Sequence, residues 1–119
     1  MKLSFGEVQT FVSDLGVARK FYVDTLGLKL VKETEKWLIL DVSGNQFILM
    51  AGGRPVVRQK IYGTECTTVL CLMTDDIHRD YAALRTAGVR FFSEVNKVAE
   101  GEYVAFQDPD GNILELIQQ

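Results

Sequence analysis

At 119 residues, 47% of them apolar, the chain is one domain's worth of polypeptide, long enough to bury a core without disulfides or a structural metal. Sixteen acidic residues against thirteen basic ones give a net charge of -3, and no Lys/Arg run or basic stripe occurs, so nucleic acid and anionic membrane are excluded as natural partners. Met-Lys-Leu-Ser-Phe runs at once into polar Gly-Glu, unlike a signal peptide, and no stretch approaches the roughly eighteen apolar residues of a membrane span, which sets the expected location in the cytoplasm.

Strand signals begin at Glu7 to Val12. A helical stretch follows from Gly16 to Leu26, with Ala18, Phe21, Tyr22 and Leu26 on one face, Asp14 as N-cap and Gly27 as the stop. Three short strands are expected at Leu28 to Glu33, Trp37 to Val42 and Gln46 to Ala51, separated by polar turns. After Gly52-Gly53-Arg54-Pro55 and a mixed linker the order starts again: a strand at Thr67 to Met73, a helix from about Ile77 to Ala87 with Ile77, Tyr81 and Leu84 inward, and a stop at Gly88. Strands at Val89 to Glu94, Glu102 to Phe106 and Asn112 to Ile117 complete the second half.

Spacing supports a duplication. Asp14-Leu15 and Asp76-Ile77 lie 62 apart, while DVSGN (41–45) and DPDGN (108–112) lie 67 apart, so the second half carries five extra residues, expected near Asn96 to Gly101. Two such modules, at about 4–51 and 66–119 with a linker at about 52–65, are each too small to bury a sheet face alone and form a single domain together.

One residue breaks the apolar pattern of the last strand. Ile113, Glu115 and Ile117 share a face, and a carboxylate among isoleucines needs a partner, because an unpaired buried charge costs several kcal/mol.

The pairs Asp14-Leu15, Ala18-Arg19 and Phe21-Tyr22, the run Leu26-Gly27-Leu28, and Asp108-Pro109-Asp110-Gly111-Asn112 with Leu114-Glu115-Leu116 resemble the vicinal oxygen chelate superfamily of glyoxalase I, extradiol dioxygenases, methylmalonyl-CoA epimerase and the bleomycin and fosfomycin resistance proteins. The resemblance covers almost the whole chain and implies an α+β fold: two βαβββ modules curled into an incomplete mixed β-barrel, helices outside, in a homodimer. It also implies a cleft in which metal-using members place up to four inward side chains, one from the first and one from the last strand of each module, so that a bound ion acts as a Lewis acid or activates oxygen.

Carried over residue by residue, those positions fall on Glu7, Ile48, Val69 and Glu115. Two carboxylates and two aliphatic residues fall short of the three or so protein ligands a catalytic transition metal wants, so no cofactor is expected; a divalent metal held by Glu7 and Glu115 is the alternative. Glu115 then hydrogen-bonds to backbone or to a Tyr, meets a ligand or moves a proton, or ligates a metal. Glu7 either joins it or reaches solvent.

Strand parity puts Gln9 and Phe11, Gln46 and Met50, and Cys71 and Met73 on the surface that Glu7 and Glu115 share, a mostly apolar lining suited to a small organic molecule. Arg54, with Arg58, Lys60 and Tyr62, forms the one basic cluster near the expected cleft mouth, where Arg54 either clamps an anion or belongs to a solvated crossover. Trp37 and Tyr103 serve packing or stack on a ligand. Cys66 and Cys71 are expected as buried thiols, and His78, the single histidine, as a solvated residue. The first reading is a metal-independent binding protein of the resistance type. The second is a metal-dependent lyase, epimerase or dioxygenase using Glu7 and Glu115, and the third is a metal-free acid–base enzyme using the same pair.

Overall fold

The computed structural model describes all 119 residues, which divide into two compact units, Met1–Pro55 and Val56–Gln119. Each unit is α+β, with a helix on one face of an open, mixed sheet. No helix is long and apolar enough to cross a membrane.

The first unit runs β1 (Val8–Val12), α1 (Leu15–Arg19), β2 (Lys29–Glu33), β3 (Trp37–Val42) and β4 (Asn45–Ala51). Its strands are ordered β1-β4-β3-β2, with β1 parallel to β4 and the other pairs antiparallel. Asp14 caps α1 by accepting from the Val17 amide at 3.0 Å. The uniform helix expected from Gly16 to Leu26 is α-helical only to Arg19 and continues as a π-helical segment, Lys20–Thr25, closed by the Leu26 amide on the Phe21 carbonyl at 2.9 Å. That segment holds both Phe21 and Tyr22 against the sheet. Tyr22 is fully buried and meets Phe47 edge-on at 5.4 Å, above Val12, Leu38, Leu40 and Leu49. The opposite face, left bare by the helix, carries Gln9, Phe11, Trp37, Ile39, Ile48 and Met50, as the pairings Gln9↔Ile48, Phe11↔Met50 and Trp37↔Met50 require.

The second unit runs β5 (Leu70–Met73), α2 (Ile77–Thr86), β6 (Arg90–Phe91), β7 (Asn96–Val98), β8 (Gly101–Gln107) and β9 (Ile113–Gln118). The order is β5-β9-β8-β6, β7 also pairing with β8, and β5 is parallel to β9. Asp76 repeats the cap of Asp14, accepting from the Arg79 amide at 3.1 Å. Ile77 and Leu84 are buried beneath α2, and Tyr81 meets Phe91 at 4.6 Å. The helix covers Val104, Phe106, Leu114 and Leu116; Cys71, Met73, Tyr103, Ala105, Glu115 and Ile117 take the other face.

Two expectations need correction here. The strand expected at Val89 to Glu94 is only Arg90–Phe91: past the Phe92 amide, which still donates to the Ala105 carbonyl at 3.1 Å, the ladder breaks and resumes as β7 with its register shifted by two residues, ahead of the Asn96 to Gly101 stretch where the extra residues were expected. The motifs DVSGN and DPDGN also turn differently. Ser43 (φ 53°) and Gly44 (φ 85°) make a two-residue hairpin turn between Val42 and Asn45. At the second site Pro109 takes the place of Val42 and has no N–H for that pairing, so the loop opens and the Asp108 amide bonds the Asn112 carbonyl at 2.8 Å instead.

Candidate functional site

Glu115 lies at the middle of β9, between Cys71 of β5 and Ala105 of β8, on the face that α2 leaves bare. Only 8% of it is exposed. Ile113 and Ile117 flank it two residues away on the same face, and Tyr103 pairs with Ile117. Small side chains on both sides of a buried carboxylate leave room beside it.

Its partner comes from the segment before β5. Arg58 Nη1 and Nη2 reach the two oxygens of Glu65 at 3.0 and 2.7 Å, and Glu65 Oε1 also accepts from the Ile61 amide at 2.8 Å. The Ile61 carbonyl accepts from the amides of Thr64, Glu65 and Cys66, and the Gly63 amide bonds the Cys66 carbonyl at 3.0 Å. So tied, the loop delivers Tyr62, whose hydroxyl donates to Glu115 Oε2. The Tyr62 ring stacks on Phe92 with centroids 6.3 Å apart and planes 24° from parallel.

Burial raises the Tyr62 pKa well above the ordinary 10.0, and the hydrogen bond donated to Glu115 and that group's negative charge raise it further. Above pH 10 the folded state therefore holds a proton that the unfolded chain gives up. The associated stability is present in full below pH 10 and is lost as pH rises through the raised value. Tyr62 is therefore expected to keep its proton at pH 10.5 while the protein stays folded, and the alkaline decline in unfolding midpoint should be shallower in Tyr62→Phe. Ultraviolet phenolate absorbance of the wild type against Tyr62→Phe checks this, and a phenolate signal at pH 10.5 that the folded wild type has and the folded variant lacks would contradict it.

The other expected site residues fall as follows. Glu7 is exposed, one residue before β1, and accepts from Gln9 Nε2 at 2.6 Å. Gln9, Phe11, Gln46 and Met50 share the helix-free face of the first sheet, Phe11 being 56% exposed. Cys71 and the 60%-exposed Met73 lie on the corresponding face of the second sheet, Cys71 directly opposite Glu115. Val69 stands one residue before β5 as Glu7 does before β1, and Ile48 holds in β4 the central place Glu115 has in β9. Arg54 is exposed and makes no ion pair, whereas Arg58 is taken by Glu65, so the expected basic cluster is partly neutralised. His78 is exposed and bonds Glu102 on the helix side at 2.8 Å. The two thiols are not buried as expected: Cys66 is half-buried and Cys71 exposed, because β5 turns Cys71 to the bare face. In neither unit do three or more His, Cys, Asp or Glu side chains gather as an ion would need.

Sequence reasoning offered a Tyr as one possible partner of Glu115 and placed Tyr62 near a cleft mouth without joining the two, and it did not single out Phe92. The available signal was the carboxylate itself, which demanded a donor from a chain with four tyrosines and one histidine.

Comparison with known proteins places the chain in a family. A sequence model of the Glyoxalase/Bleomycin resistance protein/Dioxygenase superfamily matches residues 4–116. TnmS3, an antibiotic binding protein from Streptomyces sp. CB03234, is 28% identical with a TM-score of 0.71, covering 99% of this chain and 98% of that one. The fosfomycin resistance protein FosX from Listeria monocytogenes gives a TM-score of 0.80 at 15% identity, covering 100% and 95%. Lactoylglutathione lyase from Agrobacterium tumefaciens gives 0.73 at 16%, covering 99% and 95%. At such identities the last two show a shared fold alone. With all but three residues at each end matched, the chain belongs to the glyoxalase/bleomycin resistance protein/dioxygenase superfamily.

Proposed function

We propose that the protein binds a small amphipathic organic molecule on its helix-free sheet surface and returns it chemically unchanged. The observation that carries this reading is Glu115: a buried carboxylate held by a tyrosine among apolar and aromatic side chains, which is the make-up of a ligand site with a few placed polar groups. The exposed apolar side chains of Phe11 and Met73 on the same kind of face support it, as does the description of TnmS3 as an antibiotic binding protein. A resident divalent metal, used by many members of the superfamily, fits these residues poorly. Of the four carried-over positions Ile48 and Val69 offer no donor, Glu7 is engaged with Gln9, and Glu115 already accepts from Tyr62.

A panel of amphipathic organic compounds, followed by thermal shift and by the fluorescence of Trp37, the single tryptophan, tests the proposal. Saturable binding near one ligand per chain is expected, with a rise in Tm that follows ligand concentration and with the compound recovered intact. Conversion of a bound compound to product, or no binding across the panel, would overturn it. We further propose a homodimer, as the family resemblance implies, supported by the exposed Leu3 and Phe5 side chains; a monomer mass in sedimentation at micromolar concentration would remove that part.

A further inference from the structure

Glu115 has an anion's chemistry with no cation to match it. Its one hydrogen bond comes from the neutral phenol of Tyr62, and no Lys, Arg or His side chain pairs with it. The guanidinium in the loop that supplies Tyr62, that of Arg58, is held on both oxygens of Glu65. Glu115 Oε1 makes no hydrogen bond, yet it is not among the buried polar atoms left without a partner, so it opens to the bare face beside Cys71 and Ala105.

The surroundings suit a particular head-group. Tyr62 and Phe92 stack beside the carboxylate, and Tyr103 lies on the same face, paired with Ile117. Aromatic π-faces attract an ammonium, more strongly where water is excluded, and a partly buried carboxylate attracts it further. An anionic head-group would meet repulsion at the same point.

We propose that Glu115 anchors a protonated amine, so that the bound molecule is an aryl- or alkyl-substituted ammonium; this rests on the ligand-binding reading above. The ammonium donates to Glu115 Oε1, the rings of Tyr62, Phe92 and Tyr103 flank it, and Ile113 and Ile117 face the apolar remainder. Tyr62 competes with it for the carboxylate.

Isothermal titration with phenylbutylamine, phenylbutanol and phenylbutyrate at neutral pH tests this, since the three share a skeleton and differ in head-group. The wild type is expected to bind the amine about tenfold more tightly than the alcohol, with the carboxylate weakest. Glu115→Gln should cut the amine preference to within about twofold while leaving affinity for the alcohol in place, with folding confirmed by its thermal transition. Tyr62→Phe, which removes the competing donor and keeps the ring, should tighten amine binding a few-fold. The inference is overturned if the wild type fails to bind the amine or binds it no better than the alcohol. It is equally overturned if the preference survives Glu115→Gln, or if Tyr62→Phe weakens the amine. Neutral hits from the compound panel would in those cases leave the broader binding reading standing, whereas an empty panel would remove both.

Discussion

Phe106→Ala is expected to cost about 3 to 5 kcal/mol of folding stability, the largest loss foreseen for a single substitution in this protein. Phe106 is fully buried on the helix side of β8, where its ring meets Phe91 at 5.6 Å and Phe91 in turn meets Tyr81 of α2 at 4.6 Å. Deleting the ring removes its transfer free energy and leaves a cavity that a two-residue β6 and a packed helix fill poorly. Because Phe106 points away from Glu115, ligand affinity measured where the variant is still fully folded should stay within about twofold of wild type. Chemical denaturation supplies the first number and titration the second. A loss below 1 kcal/mol would mean that the packing of Phe91 and Tyr81 readjusts over the gap.

Asp108→Ala comes next, at about 2 to 4 kcal/mol. This carboxylate is 2% exposed and organises the wide loop before β9. Its Oδ1 accepts from the amides of Asp110 at 2.9 Å and Asn112 at 2.8 Å, and its Oδ2 accepts from Asn112 Nδ2 at 2.8 Å. Alanine removes three acceptor contacts at once and leaves their donors short of partners in a confined place. Asp108→Asn keeps a single acceptor oxygen and should recover about half of the loss. The loop sets where β9 begins and so where Glu115 lies along it, so Asp108→Ala is also expected to weaken ligand binding, unlike Phe106→Ala. Equal stability of the Ala and Asn variants would show that the carboxylate is dispensable to the loop.

What could be read from the sequence was what is local or periodic. Asp14 and Asp76 cap helices through side chains three residues from their targets, and alternation along β4 and β9 separates helix-facing leucines from Ile48 and Glu115. The π-helical segment left no such mark, because an amide bonding five residues back needs no special side chain. Val89 to Glu94 alternates like a strand, but a ladder also needs a partner in register, and β8 supplies one only as far as the Phe92 amide and again from Asn96. DVSGN and DPDGN look equivalent until the missing N–H of Pro109 is counted. Parity assigned Cys71 to the surface of Glu115, yet the general tendency of thiols toward burial misjudged its exposure. The bond from Tyr62 to Glu115 spans 53 residues, a distance at which no pattern in the sequence connects the two.

The Tyr62 loop closes on itself, Arg58 to Glu65, Glu65 to the Ile61 amide, Gly63 to Cys66, and none of these ties passes through the tyrosine side chain. The residue at 62 can therefore be exchanged like a tool in a fixed handle. A smaller residue there would widen the space over Glu115, and a basic one would cancel its charge. Under the proposed function, ligand preference then shifts with substitutions at this one position, while the loop's own frame is left as it stands.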